Sequence, residues 1–280
     1  MITNYQLAAI YFNLCITQKY KGQKLKNIPK NGPTAKHFNN QFEGLIESGI
    51  LTKYQAFSGA YSIFGKNIYT EEEIACSIDP FAYISHLSAM DYHGLTDRIP
   101  KILFISTPSQ KNWKDFALKQ MHKDLKENLL DYQKKKFPIL IKIPMGKIGK
   151  KNVNQFSSKH FGAFKSIKDR TLRVSTIGRT FLDMLRKPDL CGGIYHVINI
   201  YKEFGQQYLN LIVDEMNLHG KPIDKVRAGY ILEELCNAKH EAFEKWLQFA
   251  ARGGSRKLDP TEEYSSTYSE RWCLSINVEI

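Results

Sequence analysis

Apolar residues recur along this chain at two spacings, and the spacing sorts it into elements. In residues 4–19, Leu7, Ile10, Tyr11, Leu14 and Ile16 follow one another near helical period behind Asn4, a good cap, so a helix is predicted. A basic stretch broken by Gly22, Pro29, Gly32 and Pro33 comes next, with a short middle helix expected at QKLKNIP. Phe38, Phe42, Leu45 and Ile46 then fall on one face of a helix predicted over 34–48, and Gly49 sits where a helix-ending glycine belongs. The stretch ILTKYQAFSGAYSIFG reads as two short strands around a Ser-Gly turn.

Residues 65–78 read as a link, with a domain boundary near residue 70. Beyond it the pattern predicts a helix over 80–93, capped by Asp79 and opened by Pro80. A strand at 101–107, a helix at 111–123, a basic loop at 131–136 and a strand at 138–143 follow. Short irregular strands are expected within 153–175. Helices are expected at 177–186, 193–205, 206–217, 222–237 and 240–251, and a last strand from Trp272 to Val278. The fold class read from this order is α+β: a winged helix-turn-helix at 1–70, then a larger mixed α+β domain at 71–280 with a helical C-terminal half.

Composition narrows the class. Hydrophobic residues are 42% and aromatic residues 12% of the 280, enough for real cores and against disorder. The longest apolar runs fall far short of the ~20 residues of a spanning helix. The first residues carry no charged leader and no small-residue cleavage site, so no signal peptide is expected. Five widely spaced cysteines without a CxxC point to reduced thiols in a cytoplasm rather than to a disulfide framework or a structural zinc.

The net charge of +12 is unevenly placed. Residues 1–70 hold eight lysines against two glutamates, and 71–175 hold 19 basic against 11 acidic residues. Residues 176–280 hold 13 basic against 15 acidic residues. A basic region beside a near-neutral one suggests a polyanion-binding part joined to something else, although a solvated lysine-rich surface would look alike.

The helix over 34–48 sharpens this. Opposite its apolar stripe stand Lys36, His37, Asn39, Asn40 and Gln41, and no acid occurs before Glu43. An ordinary solvated helix favours acids in its first turn, where the macrodipole is positive. Amides and lysines are the side chains that read adenine, guanine and phosphate. With Thr34 at its start, Lys26 and Lys30 in the preceding loop and Lys53 on the following strand, they form a candidate double-stranded DNA interface.

A catalytic set is not visible. His86 and His93, seven residues apart, would stand roughly 10.5 Å apart along a helix axis, too far to share one metal. The stretch GGSRKLD at 253–259 has the Gly-Ser start of a nucleotidyltransferase, but the paired carboxylates that hold magnesium do not follow. Phosphate-binding loops and nucleophile elbows are missing. No enzyme activity, cofactor or metal is expected. On these residues alone, a DNA-binding regulator with an effector-binding domain, or a metal-dependent nuclease with a DNA-binding head, stays open.

Three stretches carry a resemblance. YISHLSAMDYHGLTDRIPKILFIST (83–107), VSTIGRTFLDMLRKPDLCGGI (174–194) and KLDPTEEYSSTYSERWCLSINV (257–278) resemble, in order, segments of the AbiEi-type antitoxins. The resemblance implies a type IV toxin–antitoxin pair of the kind found in phage-defence operons. Its winged helix would repress the operon by binding inverted repeats in the promoter. Its second domain would counter a nucleotidyltransferase-like toxin without a stable complex. Ser85, Ser88, His93, Arg179 and Asp183 are the candidate antitoxicity surface, against a plain packing role for the same residues.

Overall fold

The computed structural model describes residues 1–26, 28–29, 32–66, 69–158, 161–251 and 256–279. Its elements in chain order begin β1 (Ile2–Thr3), α1 (Asn4–Thr17), β2 (Lys19–Tyr20), β3 (Gln23–Lys24), α2 (Ala35–Glu47), β4 (Leu51–Lys53), β5 (Ala60–Ile63) and α3 (Glu71–Ile78). There follow β6 (Tyr83–Ile84), α4 (His86–Tyr92), β7 (Ile102–Pro108), α5 (Gln110–Leu125), α6 (Leu129–Lys134), β8 (Lys147–Ile148), β9 (Lys151–Ser158), β10 (Phe164–Ser166) and β11 (Arg173–Ser175). The helical half holds α7 (Ile177–Arg186), α8 (Ile194–Phe204), α9 (Leu209–His219), α10 (Pro222–Gly229) and α11 (Glu241–Trp246), then β12 (Tyr268–Ser269) and β13 (Leu274–Ser275). The class is α+β. Among the described residues no helix is long and apolar enough to cross a membrane.

The chain divides into two compact units: residues 1–82, 107–159 and 170–172 form one, and 83–106, 160–169 and 173–280 the other. This differs from the boundary expected near residue 70. The reason is a shared core. Tyr5, Phe12 and Phe38 of the N-terminal segment are buried with Trp113, Leu125, Tyr132 and Phe137. Phe12 meets Tyr132 edge-on at 5.1 Å and Phe137 at 5.3 Å between ring centres. Tyr5 also donates a hydrogen bond to Asp124, 119 residues away.

In this first unit β1, β5 and β4 form an antiparallel sheet, with Ile2 opposite Tyr61 and Lys53 opposite Tyr61 from the other side. The short helix expected at QKLKNIP does not form among the described residues; Gln23 and Lys24 pair instead with Tyr20 and Lys19. The second half of the expected link is helical: Thr70 caps α3 in a reciprocal capping box with Glu73. The expected basic loop at 131–136 is mostly α6, and residues 138–143 join no strand among the described residues.

The helix expected over 80–93 is replaced by β6 and the shorter α4. Asp79 does not cap a following helix. Its carboxylate is fully buried and accepts hydrogen bonds from the Phe81 amide, the Thr107 hydroxyl and the Trp113 indole, at 2.8–3.0 Å. The apolar run after it, Ala82 to Ile84, is buried all round. Such a short run looks alike in sequence whether helix or strand, and here strand pairing wins.

In the second unit the strands run in the order β10, β11, β6, β7. Val174 of β11 lies parallel to Ile84, and Tyr83 lies antiparallel to Ser106. The core beside them comes from α7 to α11 around Phe181, Tyr201, Trp246 and Trp272. The expected last strand shrinks to β13, because Trp272 leaves it to enter the core, where its indole donates to Glu233 at 2.9 Å. The helix expected over 222–237 turns π-helical at Tyr230–Leu235. Gly229 lies under the Trp272 ring: a methyl there would stand 2.1 Å from it. Gly229→Ala is expected to cost about 2–3 kcal/mol by overpacking, read as a lower urea midpoint.

Candidate nucleic-acid interface

Helix α2 is oriented by its apolar stripe. Phe38 stacks on Phe42 at 5.8 Å, Phe42 meets Tyr61 of β5 edge-on at 4.9 Å, and Phe38 lies 5.6 Å from Tyr11 of α1. Those contacts leave Lys36, His37, Asn39, Asn40 and Gln41 all exposed to solvent. Thr34 is the cap: its hydroxyl accepts the His37 amide at 3.2 Å, so its chemistry is used within the helix. Gly49 takes the left-handed conformation, φ 72°, that the helix end requires.

Lys26, His37 and Gln41 line one cavity of about 600 Å³ between α1 and α2. Lys53 is exposed on β4. Lys30 lies outside the described residues, as do residues 253–255 of the Gly-Ser stretch.

The β2–β3 hairpin adds three lysines that the sequence pattern places elsewhere: Lys19 at the end of the helix over 4–19, which stops at Thr17, Lys21 in the basic stretch, and Lys24 in the short helix expected at QKLKNIP. Lys19 stands opposite Lys24, and Lys21-Gly22 forms the turn with φ of 48° and 81°. Two successive positive φ values match the twist of a tight hairpin. The Lys-Gly pair was the available signal. All of Lys19, Lys21 and Lys24 are exposed. Like charges placed opposite one another repel, and a polyanion would relieve that repulsion.

Four of the five candidates of the second set lie inside the second unit, and His93 is half-buried. Ser85, Ser88, Arg179 and Asp183 are all buried. The Ser85 hydroxyl meets His86 Nδ1 at 2.8 Å and accepts from the Ser106 hydroxyl at 2.9 Å. The Ser88 hydroxyl accepts the Phe104 amide, and His93 Nε2 donates to the Ser175 carbonyl at 2.7 Å. These bonds fasten α4 to β7 and β11. His86 itself is buried at φ 51°, rare for a residue with a side chain.

On α7, Arg179 Nε donates to Asp183 Oδ1 at 2.8 Å, and Glu215 of α9 approaches to 3.9 Å, close enough for attraction but too far for a hydrogen bond. Arg186, one turn further along α7, pairs with Asp224 at 2.8 Å. Burial works against the Arg179 charge, yet adjacent Asp183 outweighs it and raises the guanidinium pKa. Burial raises Glu215 above the usual carboxylate range, against the pull of His219 and Arg179. Gly178 lets the two helices approach, since a methyl would stand 2.3 Å from the Leu211 carbonyl. With side chains 3–8% exposed, this ionic cluster has no room for a substrate; it ties α7 to α9.

The first two stretches that carry the resemblance meet in this unit. Arg98 does not pair with neighbouring Asp97 but donates to the Gly192 carbonyl at 2.9 Å, and Thr96 bonds His196 at 2.9 Å. Gly192, at φ 91°, leaves the space Arg98 occupies. In the third stretch Asn277 accepts the Asp259 amide and donates back to its carbonyl, while Asp259 accepts from Thr261.

Burial lowers the pKa of His86, His93 and His196, with Arg98 adding to the effect at His196. Each binds a proton less readily folded than unfolded, so its contribution to stability is present above the ordinary histidine range and lost as pH falls. Glu215 works oppositely, losing its contribution as pH rises through its raised value. The urea midpoint is expected to fall between about pH 7.5 and 5.5, where the histidines titrate. A His86→Gln/His93→Gln variant should flatten that fall.

No family model matches the chain, and no curated protein matches it.

Proposed function

We propose that this chain is a type IV antitoxin of the AbiEi kind that also represses its own promoter. In this reading it is a cytoplasmic binding protein that needs no cofactor and catalyses nothing. The observation that carries the DNA half is the outward face of α2: five adjacent exposed base- and phosphate-reading side chains with no acid in the first turn. The exposed lysines of the β2–β3 hairpin support it. The three ordered stretches resembling AbiEi-type antitoxins support the antitoxin half, and those stretches serve mainly to hold the second unit together.

The DNA half is tested by fluorescence anisotropy on the chain's own promoter region. Lys36→Ala/Asn40→Ala is expected to weaken binding at least tenfold, since a bidentate base contact contributes about 1–3 kcal/mol. The salt dependence should become shallower, because each lost phosphate contact removes about 0.9 from the log–log slope. Unchanged binding by a folded double variant would remove α2 as the reading helix.

The antitoxin half is tested by growth rescue from the neighbouring toxin gene. The full chain and the Lys36→Ala/Asn40→Ala variant should both rescue. Deletion of residues 1–70 is the wrong tool, because it removes part of the core shared with residues 107–145. Failure of the full chain to rescue would leave a plain regulator.

A further inference from the structure

Residues 138–143, Pro-Ile-Leu-Ile-Lys-Ile, have the composition of a strand, but among the described residues no strand pairs with them. Leu140 is 9% exposed while Ile139 and Ile141 are 52% and 60% exposed, the alternation of an extended chain. Among the described residues, no backbone group of 139–143 bonds to another backbone group. The same segment borders two cavities of the first unit. One, about 450 Å³, is floored by Trp113, Ala117 and Met121 of α5; the other, about 220 Å³, reaches Tyr5 and Ile78.

The rim of the larger groove has one sign of charge. Lys114 and Lys142 line it, and no carboxylate does. Lys114 is exposed, and neither lysine belongs to an ion pair among the described residues. Among the described residues, Lys142 makes a single long bond, 3.4 Å to the Pro108 carbonyl.

We propose that residues 139–143 and the α5 groove form a docking site for an extended acidic segment of a partner protein. The segment adds as a strand against the open backbone, sets alternate apolar side chains into the groove, and places carboxylates on Lys114 and Lys142. Charge decides the occupant. A second copy of this segment would bring its own Lys142, with Lys134 and Lys136 close in sequence, against an already positive rim. Pro138 and Pro144 bracket the open backbone and limit the added pairing to a few residues, which suits a short linear segment. The site is independent of the DNA-binding reading.

The test is selection of a phage-displayed library of random ten-residue peptides on the full chain, followed by anisotropy of the best labelled peptides. Enriched peptides should alternate apolar residues and carry at least two acids. Lys114→Glu/Lys142→Glu, a surface change that should leave the fold intact, should weaken them at least tenfold. N-methylation of every second peptide amide should do the same in one phase of the alternation and have little effect in the other. The proposal is overturned if no peptide is enriched, or if enriched peptides bind the charge-reversed variant equally well. It is also overturned if sedimentation shows a dimer that Ile139→Lys/Ile141→Lys dissociates and that excludes the peptides, which would make a second copy the occupant.

Discussion

Phe12→Ala is expected to lower the unfolding free energy by about 3–5 kcal/mol, the range for removing a fully buried aromatic ring. The informative part is where the loss appears. Phe12 is fully buried between Tyr132 and Phe137, and Phe137 in turn lies 6.0 Å from Phe38 of α2. The N-terminal segment and residues 110–140 therefore bury one cluster of rings. Hydrogen-exchange protection should drop in α5 and α6 as well as in α1, because a shared core opens as one cooperative unit. If α5 and α6 kept their full protection while α1 lost its own, residues 1–70 would be a separate folding unit and the shared-core account would fail.

Asp183→Ala is expected to cost a similar amount, about 3–5 kcal/mol, by a different mechanism. It takes the hydrogen-bonded carboxylate from a guanidinium that is 2% exposed, and Glu215 at 3.9 Å replaces it poorly. Most of the loss comes from the charge left in the interior, so removing both charges should recover much of it. Arg179→Leu/Asp183→Leu is therefore expected to be more stable than Asp183→Ala in urea unfolding. A double variant no better than the single one would mean that the pair acts through specific packing between α7 and α9.

Much of the secondary structure was legible because it is written locally. Phe38, Phe42 and Leu45 mark α2, and Ile177, Phe181, Leu182 and Leu185 mark α7, at spacings no other conformation would align on one face. Thr34 and Gly49 end α2 where their types predict. The failures also share a cause. Asp79-Pro80 has the chemistry of a helix start, but its carboxylate is claimed by Thr107 and Trp113, 28 and 34 residues away. Residues 138–143 have the composition of a strand, but a strand needs a neighbour, and none of the described residues supplies one. Arg179 and Asp183 sit at a spacing common on solvated helix faces. Only the approach of Glu215 and α9 makes them interior.

The sequence by itself determined the periods of α2 and α7, the Thr34 cap and Gly49 end of α2, the amide- and lysine-rich face of that helix and the basic bias of the first two-thirds of the chain. Each of these depends on residues within a few turns of one another or on simple sums of charge. The caps expected at Asn4 and Asp79 did not form: Thr3 caps α1, and Asp79 is drawn into the core. Only the tertiary structure decided that residues 1–82 share a core with 107–159, that the candidate residues of the second unit are internal fastenings, and that a strand-like segment is left open beside a lysine-rimmed groove. Those outcomes depend on which distant segments meet, as Tyr5 meets Asp124, and a meeting across more than a hundred residues leaves no periodic trace in either partner.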